Sequence, residues 1–183
     1  MNRECGTCTK CCDGTLTTNI NGNEVKLGKP CVYLTIGKGC NIYEERPQNP
    51  CKSYQCAWII NNDIPDFMKP ENSNCILDYD EKNGIKYLRL ISSEVPYTAE
   101  TLSWCINYAQ SNNINLVWSI NEKNYHIGDG GFVVEQITTA LKDRSEEILK
   151  ANNLNLSSEE TKMQYQWIKG IYEDAASIVK AFK

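Results

Sequence analysis

Eight of the ten cysteines in this 183-residue chain fall between residues 5 and 56. They run Cys5-x-x-Cys8-x-x-Cys11-Cys12, then Cys31, Cys40, Cys51 and Cys56. Thiols at that density, in a polar stretch punctuated by Gly and Pro, hold a fold by sulfur chemistry because little apolar surface remains to do so. C-x-x-C turns aim two soft donors at one ion from a single loop. Three cysteines at two-residue intervals with a remote fourth also match the ligand pattern of a 4Fe-4S cluster. Eight thiols are equally two sets of four for structural zinc. In extended backbone the adjacent pair Cys11-Cys12 points to opposite sides. Either two centres share the segment, or one centre uses four cysteines and the rest are structural. The disulfide alternative pairs the first four cysteines with the later four.

The compartment decides between metal and disulfide. Met1-Asn2-Arg3-Glu4 leads into Cys5 without an apolar run, which points to a reducing, cytoplasmic setting and so to metal. Apolar runs such as 57–60 are far shorter than a membrane span, so no membrane partner is expected. Net charge is −4 and no basic stripe appears, which argues against nucleic acid. Residues 1–60 carry seven basic groups against five acidic, whereas the remainder is acidic. Positive neighbours favour thiolates, although two charges are within ordinary surface scatter.

The elements that must position these thiols are short. Residues 15–26, with Asn21-Gly22, read as a hairpin. Gly37 and Gly39 turn the chain into Cys40, and Pro47 and Pro50 break any helix before Cys51. Residues 51–60 are expected to form a short helix, and Pro65 and Pro70 close a module spanning 1–70. The pattern then becomes that of an ordinary globular region, 75–183. Residues 75–79 and 85–91 form a hairpin around Asn83-Gly84. Thr98 caps a helix with the stripe Leu102, Cys105, Ile106 and Ala109. Residues 115–120 and 124–127 pair as strands. Residues 132–150 form a helix with Val133, Ile137, Ala140, Leu141 and Ile148 inward. Ser157-x-x-Glu160 opens a last helix whose stripe, Ile168 to Phe182, needs a cover, such as the hairpins or a homodimer or other protein partner. The fold class is α+β: an irregular, metal-stapled N-terminal module followed by a small region of hairpins and helices.

Other candidates have plainer readings. His126, the single histidine, reads as structural. Gly128-Asp129-Gly130-Gly131 has neither a Rossmann nor a P-loop pattern and reads as a turn. Cys75 and Cys105 lie on apolar faces and act as small hydrophobes.

The order C-x-x-C-x-x-C-C, then Gly28-x-Pro30-Cys31-x-x-Leu34, Gly39-Cys40-x-Ile42-Tyr43-x-x-Arg46-Pro47 and Cys51-x-x-x-x-Cys56-x-Trp58, resembles the YkgJ-type cysteine-cluster family. That family is described as zinc- or iron-chelating. The resemblance covers residues 5–70, with Lys69-Pro70 at its end, and no later part of the chain. It implies that Cys5, Cys8, Cys11, Cys12, Cys31, Cys40, Cys51 and Cys56 bind metal. It also implies that Arg46 shapes the loop and donates to a thiolate. The cofactor is then iron, mononuclear or as a 4Fe-4S cluster, with zinc close behind. Similar clusters accompany the flagellin lysine N-methylase, so the alternative is an iron-sulfur-dependent enzyme of group transfer or redox chemistry using the C-terminal half.

Overall fold

The computed structural model describes residues 3–120 and 123–151. The chain is α+β and divides into two compact units, Met1–Tyr125 and His126–Lys183.

Local turn chemistry sets the first half. Strands β1 (Thr18–Ile20) and β2 (Asn23–Val25) pair antiparallel, with Ile20 opposite Asn23. Asn21 and Gly22 between them both take positive φ, 51° and 83°, as a tight two-residue hairpin turn requires. Strands β3 (Leu34–Thr35) and β4 (Gly39–Cys40) form a second hairpin, with Leu34 opposite Cys40. Ile20, Val25 and Cys31 are buried here, with Cys12, Tyr33, Leu34 and Cys51 packed against them.

The helix expected over 51–60 is instead broken. An irregular helical turn spans Gln48–Lys52, and α1 is only Ala57–Ile60. Cys56 lies between them in extended conformation (φ −67°, ψ 161°) as the residue before α1. The turn ends at Ser53, and the extended backbone at Cys56 interrupts the ladder before α1. Pro65 precedes a helical turn at Asp66–Met68, and Pro70 opens α2 (Pro70–Ser73), where its missing N–H is no loss.

Strands β5 (Cys75–Lys82) and β6 (Ile85–Ser92) pair antiparallel around Asn83-Gly84, from Cys75 opposite Ser92 to Lys82 opposite Ile85. Helix α3 (Ala99–Ser111) then carries the chain back so that β7 (Asn115–Ile120) lies parallel to β6, with Leu88 beside Leu116. A parallel neighbour needs such a crossover. Thr98 caps α3, its Oγ1 accepting the Thr101 N–H at 3.1 Å. Of the expected stripe, Cys105 and Ala109 are buried and Leu102 and Ile106 half-buried; Thr101 is buried with them. Strand β8 (Lys123–Ile127) completes the four-stranded order β5-β6-β7-β8.

Ile76, Leu77, Leu88, Leu90 and Leu116 form the centre of the first unit, with Ile64 and Met68 equally buried. Both α1 and α2 pack on β5. Asn61 Nδ2 donates to the hydroxyls of Tyr79 (3.0 Å) and Tyr108 (2.8 Å). The unit therefore continues through residues 70–75, where the sequence suggested a boundary, and ends at Tyr125.

In the second unit, α4 (Gly130–Ala151) starts where Asp129 Oδ1 accepts the Phe132 N–H at 2.9 Å. The glycine-rich segment is thus a capped turn. Phe132 is buried, Val133 and Ile137 are half-buried, and Ala140 is exposed rather than inward. The helix opened by Ser157 and its stripe lie outside the described residues.

Candidate metal centre

Consecutive turns shape the loop that carries the first four cysteines. The Cys8 N–H donates to the Cys5 carbonyl at 3.0 Å, closing the first C-x-x-C step, and Gly6 inside it has φ +56°. The Cys12 and Asp13 N–H groups both donate to the Thr9 carbonyl, at 2.8 and 3.0 Å. Cys11 and Cys12 therefore lie in a turn, not in extended backbone. They still take different neighbours. Asp13 Oδ1 holds the exit by accepting from the Thr15 N–H (2.9 Å) and hydroxyl (2.7 Å). Gly14 follows at φ +101°, and a Cβ there would lie 2.1 Å from the Lys26 carbonyl oxygen, so only glycine fits.

Cys5, Cys8, Cys11 and Cys56 line a small cavity of about 30 Å³ together with Tyr54, Trp58 and Lys69. Arg3 fixes its start. Its Nη1 donates to the carbonyls of Trp58 (2.8 Å) and Asn61 (2.9 Å), and its guanidinium lies 4.6 Å from the Trp58 ring centre. Lys69 Nζ sits 5.4 Å from the same ring and pairs with Glu71, which also accepts from Thr7 Oγ1 at 3.0 Å.

Cys12, Cys31, Cys40 and Cys51 gather on the other side of the loop. The Cys31 N–H donates to the Cys12 carbonyl at 2.8 Å, and Cys12 and Cys51 pack on the cluster containing Cys31. All four border a cavity of about 380 Å³ that also meets Cys5, Cys8 and Cys11. Its remaining wall includes Tyr33, Tyr43, Arg46, Tyr54, Asp78 and Arg89.

Burial raises the thiols. It is the first cause of the upward shift at Cys8, Cys11, Cys12, Cys51 and Cys56, and Cys12 is pushed up to about 12. Neighbouring thiols add to it: Cys56 and Cys8 act most on Cys11, Cys31 and Cys40 most on Cys12. Arg46 opposes this at Cys51 by favouring the thiolate. At these five positions burial favours the neutral thiol, and a bound cation would favour the thiolate.

Buried polar atoms nearly always find partners. Among the described residues four side-chain atoms do not, and three of them, Arg46 Nε, Tyr54 Oη and Trp58 Nε1, border these two cavities. Burial pushes the Tyr54 phenol far up, and the nearby Asp78 carboxylate adds to the rise. Arg46 is otherwise occupied: its guanidinium stacks 3.7 Å over Tyr43, and Nη1 donates to the Tyr43 carbonyl at 3.1 Å.

The donors and their types suit a thiolate-bound metal: soft ligands in fours, cationic side chains nearby, and buried N–H and O–H groups with no acceptor. Among the described residues no three Cys, His, Asp or Glu side chains already converge closely enough to hold an ion. The structure thus brings all eight predicted cysteines and Arg46 to two adjoining cavities. All ten cysteines are free thiols. Cys75 and Cys105 lie apart from these cavities, fully buried. His126 faces Phe132 edge-on at 6.4 Å. Sequence reasoning missed Tyr54, Asp78 and Arg89. The signal for the last two was the hairpin register, which sets Asp78 opposite Arg89.

Among the described residues no helix is long and apolar enough to cross a membrane. The chain matches no family model, no curated protein and no solved structure.

Proposed function

We propose that residues 5–70 are a thiolate metal-binding module of the YkgJ-type kind, chelating iron (mononuclear or as a 4Fe-4S cluster) or zinc. The observation that carries this reading is the coincidence of eight free thiols with three buried donors lacking acceptors, around the same two cavities. Cys5, Cys8, Cys11, Cys12, Cys31, Cys40, Cys51 and Cys56 would supply the ligands, and Arg46 would steady a thiolate. Bound zinc would act as a staple, and bound iron as a staple or an electron carrier. A reducing, cytoplasmic setting and a protein partner or second copy at the C-terminal helix belong to the same proposal.

Elemental analysis with an absorption spectrum of anaerobically purified protein tests it. Iron with broad absorption near ~400 nm is expected for a cluster, in keeping with thiolate-ligated iron-sulfur chemistry, and stoichiometric zinc with no colour for a zinc site. Metal-free protein with oxidised cysteines would end the proposal. One observation favours the enzyme reading as a second: the larger cavity has room for a small ligand between the thiols and the Asp78–Arg89 wall.

A further inference from the structure

We infer that the eight thiols close into two separate four-thiolate centres, Cys5, Cys8, Cys11 and Cys56 in one and Cys12, Cys31, Cys40 and Cys51 in the other. Each takes one soft or borderline divalent cation. This deepens the metal-binding reading and rests on it.

Three independent features divide the set. The small cavity is walled by all four cysteines of the first group and by none of the second. The second group is bound together through the backbone: Cys31 to Cys12 by a 2.8 Å hydrogen bond, and Cys40 to Leu34 across β3 and β4, with Leu34 packed against the cluster that includes Cys31, Cys12 and Cys51. The break before α1 sends Cys51 and Cys56 apart. Cys51 ends in the helical turn Gln48–Lys52, while extended Cys56 begins α1 beside Trp58. A continuous helix would have kept them on one element.

Trp58 supplies the sign of the missing partner. Its side chain is buried (7% exposed), its indole N–H has no acceptor, and it borders the first group alone. A thiolate sulfur is an acceptor that this N–H can serve, and Arg3 and Lys69 near the ring offset the negative charge of a four-thiolate site. Loading releases one proton per thiol and forms four metal–sulfur bonds, with no change of oxidation state.

The test uses full-length, reduced, metal-free protein titrated anaerobically with Co(II) alone. Native mass spectrometry counts ions, and thiolate-to-cobalt absorption reports the ligands. Wild type is expected to take two ions. Cys8→Ser and Cys56→Ser, singly or combined, take one; Cys31→Ser and Cys51→Ser likewise; Cys8→Ser with Cys31→Ser takes none. Trp58→Phe weakens Co(II) binding several-fold in the Cys31→Ser background and leaves it unchanged in the Cys8→Ser background.

Should a variant fail to fold, wild type decides. Molecules carrying a single ion are alkylated, selected by mass and fragmented. Protection of all four cysteines of one group, with labelling of the other four, supports the division. Protection of a mixed set, or a wild type that takes a single ion and loses it on replacement of any of the eight, overturns the division and leaves metal binding standing. No bound Co(II) and no protected thiol overturns both.

Discussion

The cysteine-bearing loops and the β5–β7 region belong to one compact unit, yet they are held by different forces. Around the sheet, Ile76, Leu77, Leu88, Leu90, Leu116 and the α3 face of Cys105 and Ala109 are all buried. In the loops Ile20, Val25 and Cys31 are the buried cluster, while Leu27, Val32 and Ile36 are exposed. Two hairpins and a few turns cannot repay the entropy of ordering some fifty residues on that much apolar burial. A sheet can be stable on its own core. On the proposed reading, metal bridging the thiols supplies the difference.

Removing metal should therefore have the largest effect. Structural zinc sites contribute on the order of 10 kcal/mol of folding free energy. Hydrogen exchange with chelator should show residues 5–52 losing protection while β5, β6 and β7 keep theirs. Equal protection with and without chelator would erase the contrast. The converse probe is Leu88→Ala, which truncates a fully buried side chain and should cost about 2–5 kcal/mol while leaving metal content unchanged. Denaturant melts with metal analysis check both halves of that statement.

Gly14→Ala sharpens the comparison from the loop side. With φ +101° and the Lys26 carbonyl in the way, it should cost about 2–3 kcal/mol by strain alone and lower metal content as well. Metal retained at wild-type stability would show that the loop is more pliable than its contacts imply. Cys105→Ala, at the sheet, should cost about 1–2 kcal/mol and spare the metal, as read by calorimetry and elemental analysis. Metal loss there would carry the site into the sheet.

The smallest effect concerns Asp78 at the seam between the two regions. Burial raises its carboxyl despite Arg89 at 3.7 Å. A group harder to ionise folded than unfolded loses stability as pH rises from the ordinary carboxylate range through its raised folded value, and the loss persists at neutral pH. Asp78→Asn should thus raise Tm slightly at pH 7, with the gap closing on acidification. Arg89 keeps Asp80 at 3.3 Å in the variant. A gap that widens at low pH would reverse this reading.

Much of the fold was legible because its signals are local. Asn21-Gly22 and Asn83-Gly84 place both hairpins, Thr98 caps α3, and the 2-residue and 3.6-residue periods fix β5, β6 and α3. The eight cysteines were legible as a group by spacing, and Arg46 only through the resemblance. That Cys56 lines one cavity with Cys5, Cys8 and Cys11 was not, because they meet only through tertiary packing. The break between Cys51 and Cys56 was hidden too, since no Gly or Pro lies between them to mark it. Nor could the expected boundary at 70–75 reveal that α1 and α2 pack on β5, or that Asn61 and Phe67 reach Tyr108 and Trp104 of α3.

Arg3 holds carbonyls at Trp58 and Asn61, 55 and 58 positions along the chain. That clamp is a statement about order of assembly. Closing a loop of that length costs about 3–4 kcal/mol of chain entropy before the contact returns anything. Contacts of long sequence separation accordingly form late. The two hairpins that flank Cys31, the second of which carries Cys40, can form in microseconds from neighbours in sequence. Cys5 and Cys56 must await the clamp. In a nascent chain, the thiols nearest its start are therefore the last to find their partners, and the ones most exposed to oxidants and competing ions meanwhile.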